Sequence, residues 1–297
     1  MIAYLNPLQG EEFVRLCGVE PVIGARICSW FSCYANAYPF CDLWILYSDT
    51  PNPAHPKSGA HDGWPHGVAA RYQGTLCIAC DLDADFDELA GFIAASGAAE
   101  VECVQPVMDR LIGKIPFRLR QRQQVLTYEF GREDAPGGIP AGVLAGDRFI
   151  YSDHLDCDPA EFVENTRLRE MYEVICQSFD GYREGTPFTG WYVDAFARIK
   201  KAEGYLCGIC RDGKVVSVAG VYNVSPYTAM VSSVATLPDY RGRGLARRCV
   251  RRCLEYIRYL DVRPTLTAAT DSLVDYYRGL GFREYAVRCS AICQRKP

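Results

Sequence analysis

The stretch Val234-Ala-Thr-Leu-Pro-Asp-Tyr-Arg-Gly-Arg-Gly-Leu-Ala-Arg247 decides the fold. It reads as the end of a strand, a glycine-bearing turn and the start of a helix. Pro238 has no N–H for a sheet ladder and so ends the strand. Arg241, Gly244 and Ala246 keep the spacing R-x-x-G-x-[GA]. Such a turn leaves several backbone N–H groups pointing outward at the positive end of a helix dipole, which is a cradle for a pyrophosphate. The small residues allow close approach of phosphate to backbone, and glycine takes positive φ where the turn requires it.

The helix that follows is well specified. Leu245, Ala246, Cys249, Val250, Cys253, Leu254 and Ile257 recur at helical spacing as one apolar stripe. Arg247, Arg248, Arg251, Arg252 and Arg258 fall on the other faces and read as a solvated surface, with Arg247 or Arg248 placed to meet a further phosphate. Around this helix the C-terminal half parses as helices over 168–179 and 188–202, then strands over 205–210, 214–221 and 227–236. Arg211-Asp212-Gly213 is a hairpin signal between the first two strands. After the helix over 245–260 come a strand over 264–269, a helix from Asp271 to Leu280 capped by Thr270 or Asp271 and ended by Gly281, and strands over 282–288 and 290–294.

Composition bounds the remaining readings. The 297 residues are long enough for two domains. Hydrophobic residues at 49 % and charged residues at 23 % are ordinary for a globular chain, and a net charge of -4 carries no nucleic-acid signature. No apolar run approaches the ~18 residues of a membrane span. The first residues lack the basic and apolar regions of a signal peptide, so the expectation is a cytoplasmic protein. Fifteen cysteines without a secretory signal argue against a disulfide framework. The pairs Cys77/Cys80 and Cys207/Cys210 sit in strand-like segments, where residues three apart face opposite ways, so no metal is expected. Three of the four histidines, His55, His61 and His66, are expected to face solvent in a Pro/Gly-rich loop over 50–67; the fourth is His154.

The N-terminal half reads as strands over 40–47, 67–72, 75–79, 100–104 and 124–130, with helices over 86–95 and 106–115. Residues 131–145, rich in Gly and Pro, serve as the linker between a domain over 1–133 and a second over 145–297. Where a phosphate turn would precede its helix, this half carries Asp81-Leu-Asp-Ala-Asp-Phe-Asp-Glu88. Acids suit a helix N-terminus but repel a pyrophosphate. The run also misses the Gly and Glu of a calcium loop, since Phe86 and Phe92 stand at those positions.

A dinucleotide fingerprint would need a third glycine, and a P-loop would need Gly-Lys-Ser/Thr; neither is present in 241–246. The turn instead resembles the acetyl-CoA pyrophosphate loop of the GNAT N-acetyltransferase superfamily. A second match lies downstream. Asp271-Ser-Leu-Val-Asp-Tyr-Tyr277-Arg-Gly-Leu-Gly281-Phe282 is similar to the family's Y-x-x-x-G-F segment, one helix and one strand further on. The resemblance covers about 168–294. It implies an α/β (α+β) fold, with a mixed, mostly antiparallel central sheet flanked by helices. The N-terminal α/β domain is then a degenerate unit of the same kind, which leaves one cofactor site, in the C-terminal half.

The resemblance also implies roles. Val234, Ala235 and Thr236 would offer backbone groups to the thioester and pantetheine of acetyl-CoA. Arg241, Gly242, Arg243, Gly244, Leu245 and Ala246 would bind its pyrophosphate. Tyr277 would protonate the leaving thiolate; a thiol pKa of about 8.5 makes this acid an aid to the reaction and not its deciding step. The implied reaction is direct attack of a primary amine, small-molecule or peptide, on the thioester through a tetrahedral intermediate. The strand before the turn supplies no carboxylate, and Ser232, Ser233, Glu184 and a water chain stay open as the base. That gap keeps a second reading alive, a non-catalytic acyl-CoA-binding or sensing protein. Neither the acceptor nor the oligomeric state is encoded legibly.

Overall fold

A computed structural model describes residues 1–35, 41–48, 63–131 and 162–293. The chain runs β1 (Ile2–Tyr4), α1 (Gly10–Leu16), α2 (Pro21–Tyr34), β2 (Cys41–Ser48), β3 (Trp64–Tyr72), β4 (Thr75–Cys80), α3 (Phe86–Ala95), β5 (Glu100–Val104), α4 (Gln105–Leu111) and β6 (Phe117–Thr127). It continues as β7 (Phe162–Glu164), α5 (Leu168–Ser178), the short α6 (Tyr182–Gly185), α7 (Phe188–Lys200), β8 (Tyr205–Arg211), β9 (Lys214–Tyr222), β10 (Thr228–Thr236), α8 (Leu245–Tyr259), β11 (Arg263–Ala268), α9 (Asp271–Arg278) and β12 (Arg283–Cys293). With α6 set aside, both halves share one order, β-α-α-β-β-β-α-β-α-β. The fold is mixed α/β, with sheets whose pairing is mostly antiparallel.

Two compact units form. The first comprises Met1–Thr127, Asn223–Thr228 and Thr265–Pro297; the second comprises Tyr128–Tyr222 and Ala229–Pro264. In the first unit the strands lie in the order β1-β2-β3-β4-β5-β12-β6-β11. β4 and β5 are parallel and pair only over Thr75–Cys77 against Glu100–Glu102, after which β4 runs on to Cys80 and β5 to Val104 without further pairing between them. On its other edge β5 pairs with β12, and β12 pairs along its whole length with β6. α2 starts at Pro21 behind Glu20, whose carboxylate accepts from the N–H groups of Val22 (3.1 Å) and Ile23 (2.8 Å). Burial pushes the Glu20 carboxyl up to about 7, and those two N–H bonds offset only part of the shift. Glu102 on β5 is clasped by Arg288 of β12, which donates at 2.8 Å to both its oxygens, and by Arg26 of α2. Burial alone would raise that carboxyl, but Arg26 and Arg288 outweigh it and hold it below its ordinary range.

The second unit pairs β10, β9, β8 and β7 in that order, all antiparallel. Leu168, Met171, Tyr172 and Ile175 of α5 meet Trp191 and Ala195 of α7 over Leu206, Val218 and Ala235. Cys249 and Cys253 of α8 are wholly buried, and the Cys207 thiol donates to the Cys249 carbonyl at 3.5 Å.

Several expectations change. α1 and α2 had no counterpart in the sequence reading. The final two strands are one, Arg283–Cys293. β6 begins at Phe117, seven residues before its expected start, because its polar run Arg118–Gln123 pairs with β12 through backbone groups that the side chains do not advertise. β3 begins at Trp64, so His66 is a strand residue with no exposed surface, its Nδ1 at 2.9 Å from Asp81 Oδ1, and not a solvent-facing loop histidine. Arg252 belongs to the interior and not to a solvated face. Its Nε donates to Glu164 (2.5 Å) and its Nη1 to Glu255 (2.7 Å). Burial opposes its charge, but Tyr205, Glu164 and Glu255 more than offset this and keep it protonated. Residues 132–145 of the expected linker, residues 50–62 of the expected loop, and His55, His61 and His154 lie outside the described residues.

Candidate active site

The glycine turn lies in the second unit. β10 pairs with β9 in one register up to Ser232↔Gly220 and in another from Ala235↔Val218. Three residues on β10 therefore span two on β9, which is a β-bulge. Ser233, inside the bulge, has φ +53°, and neither it nor Val234 has a register partner on β9. The bulge takes backbone groups of β10 out of the ladder immediately before the turn. Sequence periodicity did not reveal it; the run Ser232-Ser233 was its only trace. Beyond it, the Ser217 hydroxyl donates to the Ala235 carbonyl (3.1 Å) and lies 2.8 Å from Thr236 Oγ1, which fixes the strand end.

A short 3-10 turn, Pro238–Tyr240, then leads to Arg241. Arg241 Nε reaches back to the Thr236 carbonyl (3.0 Å), and Arg243 Nη2 donates to the Asp239 carbonyl (3.0 Å) with its guanidinium over the Tyr240 ring. The loop is thus cross-braced by its own arginines. Gly242 and Gly244 both have φ +73°, the left-handed region, and a Cβ at either would meet nothing within 4 Å. Conformation, and not crowding, requires glycine at these positions. Gly244 is the N-cap of α8 and provides no side-chain cap; the first turn of α8 holds no acidic residue. Leu245 is buried and anchors the helix start, whereas residues 241–244 are exposed. Exposed, uncapped N–H groups at the positive end of a helix, with no acid in its first turn, fit a phosphate group.

Tyr277 lies in the first unit, on α9. Thr270 caps this helix by accepting from the Leu273 N–H at 3.3 Å, and Gly281 leaves it with φ +96°. The Phe282 N–H donates to the Tyr277 carbonyl (3.1 Å), and the two rings stand 5.8 Å apart edge to face. Tyr277 is 6 % exposed and its neighbour Tyr276 is 38 % exposed. Of the candidates for the base, Ser232 and Ser233 stand at the bulge, while Glu184 is exposed on α6.

Sequence reasoning missed Tyr222, which pairs with Met230 two residues before the bulge. Its hydroxyl oxygen is enclosed. Burial pushes its phenol well above the usual range, Tyr182 adds to the rise and Ser233 works against it. The paired cysteines show no metal-binding grouping: among the described residues no group of three His, Cys, Asp or Glu side chains is placed to hold an ion. Burial raises the Cys77 thiol to about 12 and the Cys207 thiol well above its ordinary value.

The model of the acetyltransferase (GNAT) family matches residues 165–282. The N-alpha-acetyltransferase RimI of Mycobacterium tuberculosis is 29 % identical over 106 residues, a match covering 33 % of this chain. The chain spans 65 % of the length of that curated relative. Among solved structures, a tandem GNAT protein from the clavulanic acid biosynthesis pathway aligns over 100 % of this chain and 99 % of its own, with a TM-score of 0.59 at 13 % identity. A GCN5-related N-acetyltransferase from Sphaerobacter thermophilus aligns over 98 % and 94 %, with a TM-score of 0.58 at 14 % identity. At these identities the structural likeness speaks for the fold alone.

Proposed function

We propose that the protein transfers an acetyl group from acetyl-CoA to an amine, because its residues 165–282 match the model of the acetyltransferase (GNAT) family. One observation carries the reading: Gly242 and Gly244, both left-handed, open α8 with its first N–H groups uncapped, directly after a bulge in β10. In this reading Arg241, Gly242, Arg243, Gly244, Leu245 and Ala246 hold the pyrophosphate through backbone N–H groups. Val234, Ala235 and Thr236 hold the pantetheine arm and the thioester.

The nitrogen of a neutral primary amine attacks the thioester carbonyl. A C–N bond forms and the C–S bond breaks through a tetrahedral intermediate, whose oxyanion requires a nearby donor. The proton lost by the amine goes to a base that β10 does not supply as a carboxylate. The sulfur leaves as a thiolate and is protonated by Tyr277. Along the sequence the division is proposed as 1–133 and 145–297, although residues 265–297, Tyr277 among them, fold with the first compact unit; one acetyl-CoA per chain is taken at the turn that opens α8, since the acidic start of α3, where Asp85 caps the helix, does not suit a pyrophosphate.

Release of free CoA thiol from acetyl-CoA, measured against a panel of amines that includes peptides with free N-termini, tests the proposal. Turnover with one class of amine supports it. Acetyl-CoA binding without turnover on any amine favours the sensing reading, for which the missing carboxylate on β10 is the supporting observation.

A further inference from the structure

α8 and the turn before it carry seven arginines, and their surroundings separate them into two groups. Arg252 is buried between Glu164 and Glu255. Arg248 stacks on Phe162 at 5.6 Å and Arg258 on Phe130 at 5.7 Å. Arg241 is tied to the carbonyl that ends β10. These four have structural work within the second unit.

Arg247 and Arg251 do not, and Arg243 is tied only to its own loop, through the Asp239 carbonyl and the Tyr240 ring. All three are exposed, and none meets a carboxylate among the described residues. Arg247 and Arg251 stand four apart on α8, one above the other on a single face, and Arg243 lies four residues further back in the turn. Like charges at this spacing repel, and no acidic residue stands in the first turn of α8 to relieve them. The three side chains leave the backbone within roughly 12 Å along the helix direction. The stripe is continuous with the glycine turn, so an anion held by the stripe would belong to a molecule already held at the turn.

Resting on the acetyl-CoA reading above, we propose that Arg247 and Arg251, helped by Arg243, bind the 3′-phosphate on the ribose of coenzyme A. Coenzyme A carries two anionic groups, the pyrophosphate and this phosphate one ribose away. Backbone N–H groups serve the first, and the guanidinium forks serve the second. Arginine suits the task because its planar donors meet phosphate oxygens in pairs. The protein then distinguishes CoA thioesters from their 3′-dephospho counterparts. Arg248, one residue from Arg247, takes no part because Phe162 holds it.

Calorimetric titration of the full chain with CoA and with 3′-dephospho-CoA, at low and at 0.5 M salt, tests this. The wild type is expected to bind CoA about tenfold more tightly, a preference typical of one charge-assisted phosphate contact, and to lose most of that margin at high salt. The double variant R247A/R251A should bind both ligands equally and keep the wild-type affinity for 3′-dephospho-CoA; R258A should keep the preference. Equal affinity of the wild type for the two ligands overturns the proposal without a variant being made, even if the stripe proves to bind RNA instead. Persistence of the preference in the double variant overturns it as well. Failure to bind either ligand refutes the cofactor reading itself, which is a different result from binding both alike.

Discussion

Replacing Gly244 by glutamate separates the phosphate cradle from a mere helix start. The added Cβ meets nothing within 4 Å, so no clash contributes. Holding a residue with a Cβ at φ +73° costs about 1–2 kcal/mol, a loss that falls on the stability of the α8 start. The new carboxylate, about 4 Å from one phosphate charge, costs about 1 kcal/mol if water screens it fully and about 4 kcal/mol at an effective dielectric near 20. Affinity for acetyl-CoA should therefore fall between about fivefold and about a thousandfold. Gly244→Ala bears the same strain without the charge, so it should melt at a lower temperature than wild type yet retain most of its affinity. Calorimetric titration of both variants with acetyl-CoA, beside their thermal melts, reads the two effects separately. A folded Gly244→Glu protein with unaltered affinity would refute the phosphate role of this turn.

Tyr277→Phe keeps the ring that packs on Phe282, so it should fold normally and lose about 10- to 100-fold in kcat with little change in the KM for acetyl-CoA, as steady-state kinetics would show. Glu102→Ala leaves Arg26 and Arg288 facing each other without a counter-charge and should cost about 3–5 kcal/mol in a urea titration. The lowered Glu102 pKa contributes stability that is present above the unfolded value near pH 4.5 and is lost as pH falls through the folded value, so Glu102→Gln should flatten the acid limb of stability. Glu20 acts in the opposite sense. Its raised pKa, about 7, contributes stability that is full below about pH 4.5 and is lost as pH rises through 7; Glu20→Gln should remove a pH 5 to 8 decline of up to about 3 kcal/mol. Titration with acetyl-CoA should give one site per chain.

The C-terminal elements were legible because each carries local chemistry. The strand into 234–236, the left-handed glycines, the amphipathic α8 and the Thr270 cap all announce themselves within a few residues. α2 was hidden because it is buried on most sides and lacks a polar stripe, and because Gly24 reads as a helix breaker. Its glycine is required by contact, since a Cβ there would stand 1.8 Å from the Cys17 carbonyl. The signal available was Glu20 followed by Pro21. The bulge at Ser233 and the burial of His66 and Arg252 depend on which elements become neighbours, and a periodic pattern records a face without naming what covers it.

The position of β12 has a consequence for the order of folding. Its Ala286 lies beside Gln124 of β6 at a sequence separation of 162 residues, and its other edge holds β5. During synthesis β5 and β6 emerge with the slot between them still empty, and two unsatisfied edges persist until the intervening residues are made. The first unit therefore completes only after the second has been translated. A ribosome that stalls within α8 would present β5 and β6 as open templates for another nascent chain, which makes stalled products of this protein prone to pair with one another.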